Sequence, residues 1–183
     1  MLLFIEKKVS GFSKKPWIII DVGAGNCLFS LLTIFLFPNI SVLAIDNHPC
    51  PIDSSKVQRF EYREIKIPRD AENLLADLKK LSQKAPLIFV GIHLCRDLSR
   101  IVIQWYKTFG THVFLMPCCV GKFKLSFPRL FKETFGKEDL WAIDLWHEIH
   151  IISEKSEIFR DEKILSPRNI LIWGKTKNAP LPH

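Results

Sequence analysis

The chain has 183 residues, 48% apolar and 25% charged, with a net charge of +7. That is the composition of one globular domain, able to bury roughly 70% of its unfolded surface. The longest uncharged apolar run, 27–37, is too short to cross a bilayer. The opening M-L-L-F-I lacks the basic flank and length of a signal peptide, so an intracellular, cytoplasmic protein with no membrane partner is expected. Cysteines at 27, 50, 95, 118 and 119 make no even, spaced framework and read as reduced thiols. The positive charge favours a polyanionic partner such as RNA.

Residues 1–15, an N-terminal extension, join a short apolar start to a loop with four lysines; packing on the sheet edge and a phosphate-touching basic arm are open to it, and a solvated face is the expectation. Trp17 to Ile20 (W-I-I-I) then leads into Asp21 and predicts a buried parallel strand. In D-V-G-A-G-N, residues Gly23, Ala24, Gly25 and Asn26 are small enough for backbone N–H groups to approach a ligand. The apolar run Leu28 to Phe37 predicts a helix whose positive end faces the same point. A strand–loop–helix nucleotide cradle results, although a plain glycine turn has the same elements. The third glycine of the dinucleotide fingerprint is replaced by Leu28. A carboxylate at Asp21 suits a ligand bearing an ammonium group better than one bearing a pyrophosphate.

Pro38-Asn39 ends the helix, and Ser41 to Ile45 predicts a second strand running into Asp46, 25 residues after Asp21. An acid at that tip can accept hydrogen bonds from both hydroxyls of a ribose, with Asn47 beside it. Asp46-Asn47-His48-Pro49 is also turn composition, and the two readings are compatible. Pro51 to Gln58 reads as a short helix or loop. Phe60 to Glu64 predicts a third strand, with Glu64 placed to accept from an adenine amine and Ile65 to cover its ring. Asp70 suits the N-cap of a helix over Ala71 to Lys80, with Leu74, Leu75, Leu78 and Leu81 on one face.

Leu87 to Ile92 predicts the fourth strand, ending at H-L-C-R-D. Leu98, Ile101, Val102, Trp105, Tyr106 and Phe109 follow at helical spacing, capped by Asp97 or Ser99. Val113 to Met116 predicts the fifth strand, ending at P-C-C-V-G-K. Apolar strands alternating with helices predict an α/β, Rossmann-like, doubly wound and mostly parallel sheet, with ligands beyond the carboxyl ends of its strands. Asp21, Asp46, Glu64, His93 and Cys118 all stand at such ends.

Phe123, Phe127, Phe131 and Phe135 recur at fours among Lys122, Lys124, Arg129 and Lys132. That is core spacing on a helix, although base-stacking platforms use the same ingredients. Leu140 to Ile152 predicts a crossover helix, and 156–160 with 169–174 an antiparallel C-terminal hairpin. The tail from 176, ending N-A-P-L-P-H, is expected to be disordered.

D-V-G-A-G-N, A-I-D-N, G-I-H-L-C-R-D-L and M-P-C-C-V-G-K together resemble one branch of the class I S-adenosylmethionine-dependent methyltransferases. In that branch the fourth strand ends in His-x-Cys with an acid shortly after, and the fifth in Cys-Cys. Eukaryotic tRNA ribose 2′-O-methyltransferases and several methyltransferase-like domains share the layout. The resemblance covers about residues 16–121. It implies S-adenosylmethionine as cofactor, held by Asp21, Gly23, Ala24, Gly25, Asn26, Asp46, Asn47, Glu64, Ile65 and His93. It also implies an RNA acceptor, a tRNA ribose hydroxyl foremost. The tRNA enzymes continue Cys-Cys-His-His and carry separate zinc-binding segments; here Val120-Gly121 follows Cys119, and Arg96 stands where the branch usually has glycine.

Methyl transfer to a hydroxyl requires positioning and a base. His93 is the first candidate for that base, with Asp97 to orient it; a wall of the cofactor pocket is the other role open to His93. His93, Cys95, Cys118 and Cys119 are metal-ligand types, but adjacent cysteines on a strand should project to opposite sides, so no metal is expected. With no appended recognition domain to read, a protein partner subunit is expected to assist substrate binding. Two rival readings are a catalytically degenerate module binding RNA or protein and a nicotinamide-dependent oxidoreductase. Intact Asp21, Gly23, Gly25 and Asp46 oppose the first, and Leu28 opposes the second.

Overall fold

A computed structural model describes residues 1–67, 69–162, 164 and 169–177. Among these residues one sheet contains β1 (Trp17–Val22), β2 (Ile40–Asp46), β3 (Phe60–Glu64), β4 (Leu87–Cys95), β5 (Gly110–Cys119), β6 (Ser153–Arg160) and β7 (Ile170–Thr176). The strand order is β3-β2-β1-β4-β5-β7-β6. The first five strands run parallel, and β7 and β6 add an antiparallel hairpin at the β5 side. Helices α1 (Leu2–Lys8), α2 (Leu28–Leu36), α3 (Ala71–Lys84), α4 (Leu98–Phe109), α5 (Arg129–Thr134) and α6 (Lys137–Ile152) complete the fold. Among the described residues, no helix is long and apolar enough to cross a membrane.

The continuous β-branched runs are explained by helices on both faces of the sheet. Successive strand residues point to opposite sides. Ile20, Val22, Leu43, Ile45 and Phe89 therefore pack with Leu74 and Leu78 of α3, Val102 and Tyr106 of α4, and Trp141 and Leu145 of α6. Ile19, Val42, Ala44, Ile88 and Val90 pack with α1, Val9, Phe12 and Ile34 of α2 on the other side.

Three expectations are corrected. The N-terminal stretch is not a solvated extension, because Ile5, Val9 and Phe12 are fully buried in the second cluster. Their spacing of four and three residues forms an apolar stripe interrupted on its outer side by the lysines. The phenylalanines of 123–135 do not share a core helix. Pro128 disfavours helix in the residue before it and starts the short α5 afresh. Phe123 packs edge-on against Trp141, but Phe131 and Phe135 are exposed. Finally, β7 extends through Thr176, two residues beyond the expected hairpin and into the expected tail; residues 178–183 lie outside the described region.

The chain leaving β5 is anchored by Asp144, a fully buried residue of α6. Its carboxylate accepts the backbone N–H groups of Lys124 and Leu125, at 3.2 and 2.7 Å, and the guanidinium of Arg100 at 2.5 Å. Arg100 also pairs with Glu148 and lies over the Trp141 ring.

Candidate active site

The carboxyl ends of the five parallel strands carry, in spatial order, Glu64, Asp46, Asp21, His93 and Cys118. Val22 is in register with Ile45, so the glycine loop leaves β1 level with the tip of β2. Gly23 and Gly25 have φ of +70° and +53°, the left-handed region that disfavours a Cβ. A Cβ on Gly25 would touch nothing within 4 Å, so the backbone there is open on its outer side.

The loop's donors do not point outward as expected. Gly23 and Ala24 donate to the Ile45 carbonyl at 2.8 and 3.1 Å, and Gly25 donates to Asp46 Oδ2 at 2.9 Å. The loop therefore offers a ligand its close-packing glycine faces, with its N–H groups tied to β2. Asn26 Oδ1 accepts the Leu28 N–H at 3.1 Å and so serves the start of α2.

The two aspartates sit in opposite electrostatic environments. Asp21 is 2% exposed, and its carboxylate accepts the Ser30 hydroxyl at 2.6 Å. Burial pushes its pKa up to about 6; the Ser30 bond opposes this, and the charge of Asp46 adds to it. Burial also resists ionisation of Asp46, but bonds from the Gly25 N–H, the His48 ring and the His48 N–H outweigh it and hold the group below the usual carboxylate range. Tyr62 on β3 donates to the His48 carbonyl at 2.5 Å and steadies that turn. Ser30, His48 and Tyr62 were not singled out from the sequence; a serine inside an apolar helical run was the available signal for the first.

Asp21 has a consequence for stability. Its folded pKa of about 6 exceeds the ordinary 3.8, so its contribution is fully present below pH 3.8 and is lost as pH rises through about 6. Asp21→Asn should therefore stabilise the fold at pH 8 by up to about 3 kcal/mol and change little at acid pH. Urea midpoints at the two pH values test this; equal shifts at both would rule it out.

At the third strand tip, Glu64 is exposed and level with Asp46, while Ile65 donates its N–H to the Asp46 carbonyl at 2.8 Å. Asn47 follows Asp46 and is exposed. The β4 tip is irregular. His93 has φ +59°, at a register shift between Ile92 and Leu94. That kink leaves His93 exposed and turns Leu94 inward, 1% exposed. Leu94 fills the space a Cβ on Gly91 would need, and its Cδ2 would lie 3.1 Å from a Cβ on Gly23.

Asp97 stands at the head of α4, and its Oδ1 would lie 3.1 Å from a Cβ on Gly121. Among the described residues no hydrogen bond joins it to His93. The cysteines depart most from expectation. Cys118 and Cys119 do not diverge: their sulfurs are 3.5 Å apart, and Cys95 Sγ lies 3.3 and 3.5 Å from them. Cys118 and Cys119 both lie within β5, but Leu94 pairs with Pro117 and Cys95 with Cys119, so Cys118 is the extra residue of a bulge and strict alternation fails there. Burial and then the neighbouring thiols push Cys118 up to about 12. No disulfide links the five cysteines.

This mostly parallel seven-stranded sheet with an antiparallel C-terminal hairpin is Rossmann-like, a fold shared by solved methyltransferases. No protein-family model matches the chain, and no curated protein does. Solved structures match in fold. One, described as a ribosomal RNA methyltransferase from Plasmodium falciparum, superimposes with a TM-score of 0.58 at 13% identity, covering 96% of this chain and 93% of that one. Human methyltransferase-like protein 13 in complex with SAH gives 0.54 at 12% identity, covering 91% and 74%. The antibiotic-resistance methyltransferase Kmr gives 0.50 at 12% identity, covering 96% and 93%.

Proposed function

We propose that the chain is a single-domain S-adenosylmethionine-dependent methyltransferase acting on RNA, with a tRNA ribose hydroxyl as the favoured acceptor. The observation that carries this reading is the pair of aspartates at adjacent strand tips, one held ionised and one buried and reluctant to ionise. Asp46, with Asn47 beside it, is suited to the ribose hydroxyls. Asp21 is a buried acid with no cationic partner among the described residues, and an amino-acid ammonium group would supply one. Gly23, Ala24, Gly25 and Asn26 form the close-packing wall between them. Glu64 and Ile65 flank the adenine end, with Ile65 partly buried against the core.

The cofactor supplies an electrophilic methyl group on a sulfonium. The chain's part is to align the acceptor and to take its proton, which we assign to His93 at the β4 tip. Asp97 belongs to the same edge as a positioning acid. The exposed Phe131 and Phe135, beside Arg129 and Lys132, support base stacking and phosphate attraction by the segment after β5. The exposed Leu28, Leu32, Phe35 and Leu36 on α2 support a protein partner subunit.

Calorimetric titration with S-adenosylmethionine across pH 5 to 8 tests the cofactor assignment. Affinity should level off above about pH 6 and fall towards tenfold per pH unit below it, as Asp21 protonates. Asp21→Asn should flatten that profile at low affinity. No saturable heat at any pH, with NADH instead raising the melting temperature, would overturn the reading. Incubation of labelled cofactor with total cellular RNA or protein then identifies the acceptor pool. Saturable cofactor heat with label in neither pool would favour the degenerate binding module.

A further inference from the structure

The thiols of Cys95, Cys118 and Cys119 have no role in the cofactor reading. We propose that they form a three-thiolate site for a zinc ion, clamping the tips of β4 and β5. Their sulfurs all lie within 4.8 Å of one another, with mutual separations of 3.3 to 3.5 Å. Zinc bound at about 2.3 Å in a tetrahedron sets its sulfur ligands about 3.8 Å apart. Opening the cluster by a few tenths of an ångström therefore seats the ion.

The donor set selects the metal class. Three soft thiolates suit a closed-shell thiophilic cation and not magnesium or calcium, which take oxygen ligands. Exposed Cys95 gives an entry path and leaves the fourth position to water, whereas buried Cys118 closes the inner side. Binding displaces the three S–H protons to solvent as each sulfur becomes a thiolate ligand. Cys118 currently donates to the His93 carbonyl at 3.0 Å. Loss of that donor on ligation links metal occupancy to the backbone that carries His93.

The test is anaerobic titration of the reduced protein with cobalt(II), a coloured stand-in for zinc. We expect a thiolate-to-cobalt charge-transfer band that saturates near one equivalent and is bleached by zinc. Cys95→Ser, at an exposed position, should lose the band and weaken zinc by more than the 10- to 100-fold that loss of an outer-shell partner costs. Cys50→Ser should keep the band, with circular dichroism confirming that both variants fold. Absence of the band, or its survival in Cys95→Ser, would overturn the proposal. Cofactor calorimetry on the same samples reads the methyltransferase assignment separately.

Discussion

Asp46→Ala is expected to weaken S-adenosylmethionine binding by about 100-fold or more. Two charge-assisted bonds to ribose hydroxyls contribute about 1.5–3 kcal/mol each. The structure adds a second loss, because the same carboxylate accepts the Gly25 N–H and organises the His48 turn. Removing it therefore loosens the glycine wall as well as the ribose clamp. Asp46→Asn keeps an acceptor for Gly25 and should fall between wild type and alanine. Calorimetry measures the affinities, and thermal unfolding without ligand isolates the loop's share. Unchanged affinity in the alanine variant would remove Asp46 from the ribose site.

Asp144→Ala should destabilise the protein by about 3–5 kcal/mol, the range for deleting one partner of a buried ion pair. Arg100 would keep Glu148 but lose its second acid, and the Lys124 and Leu125 N–H groups would lose their acceptor. Asp144→Asn can still accept from the backbone and should cost less. Urea unfolding gives the magnitude. A loss below about 1 kcal/mol for the alanine variant would show that the chain after β5 is held by other contacts.

The sheet was legible because β1, β2, β4 and β5 contain short apolar runs bounded by polar or turn residues, while β3 (F-E-Y-R-E) alternates. Asp21, Asp46 and Glu64 could be placed because strand ends are easy to locate once those runs are found. What lay hidden was set by register and by bends. The His93 kink and the Leu94/Cys95 shift have no signature in residue type, so simple alternation is expected straight through the bulge at Cys118. The cysteine cluster was missed for that reason. Asp46's bond to Gly25 was hidden because a loop and a strand tip 21 residues apart meet only in three dimensions. The buried N-terminal segment has its signal in Ile5, Val9 and Phe12, but four lysines beside them give the stretch the composition of a solvated face. The phenylalanine spacing misled because Pro128 interrupts it.

Leu94 joins two regions that sequence keeps far apart. Its side chain is wedged between Gly91 and Gly23, so the tip bearing His93 rests against the turn that would cradle the methyl donor. In the methyltransferase reading proposed above, the donor and acceptor sides of the reaction would share that one joint.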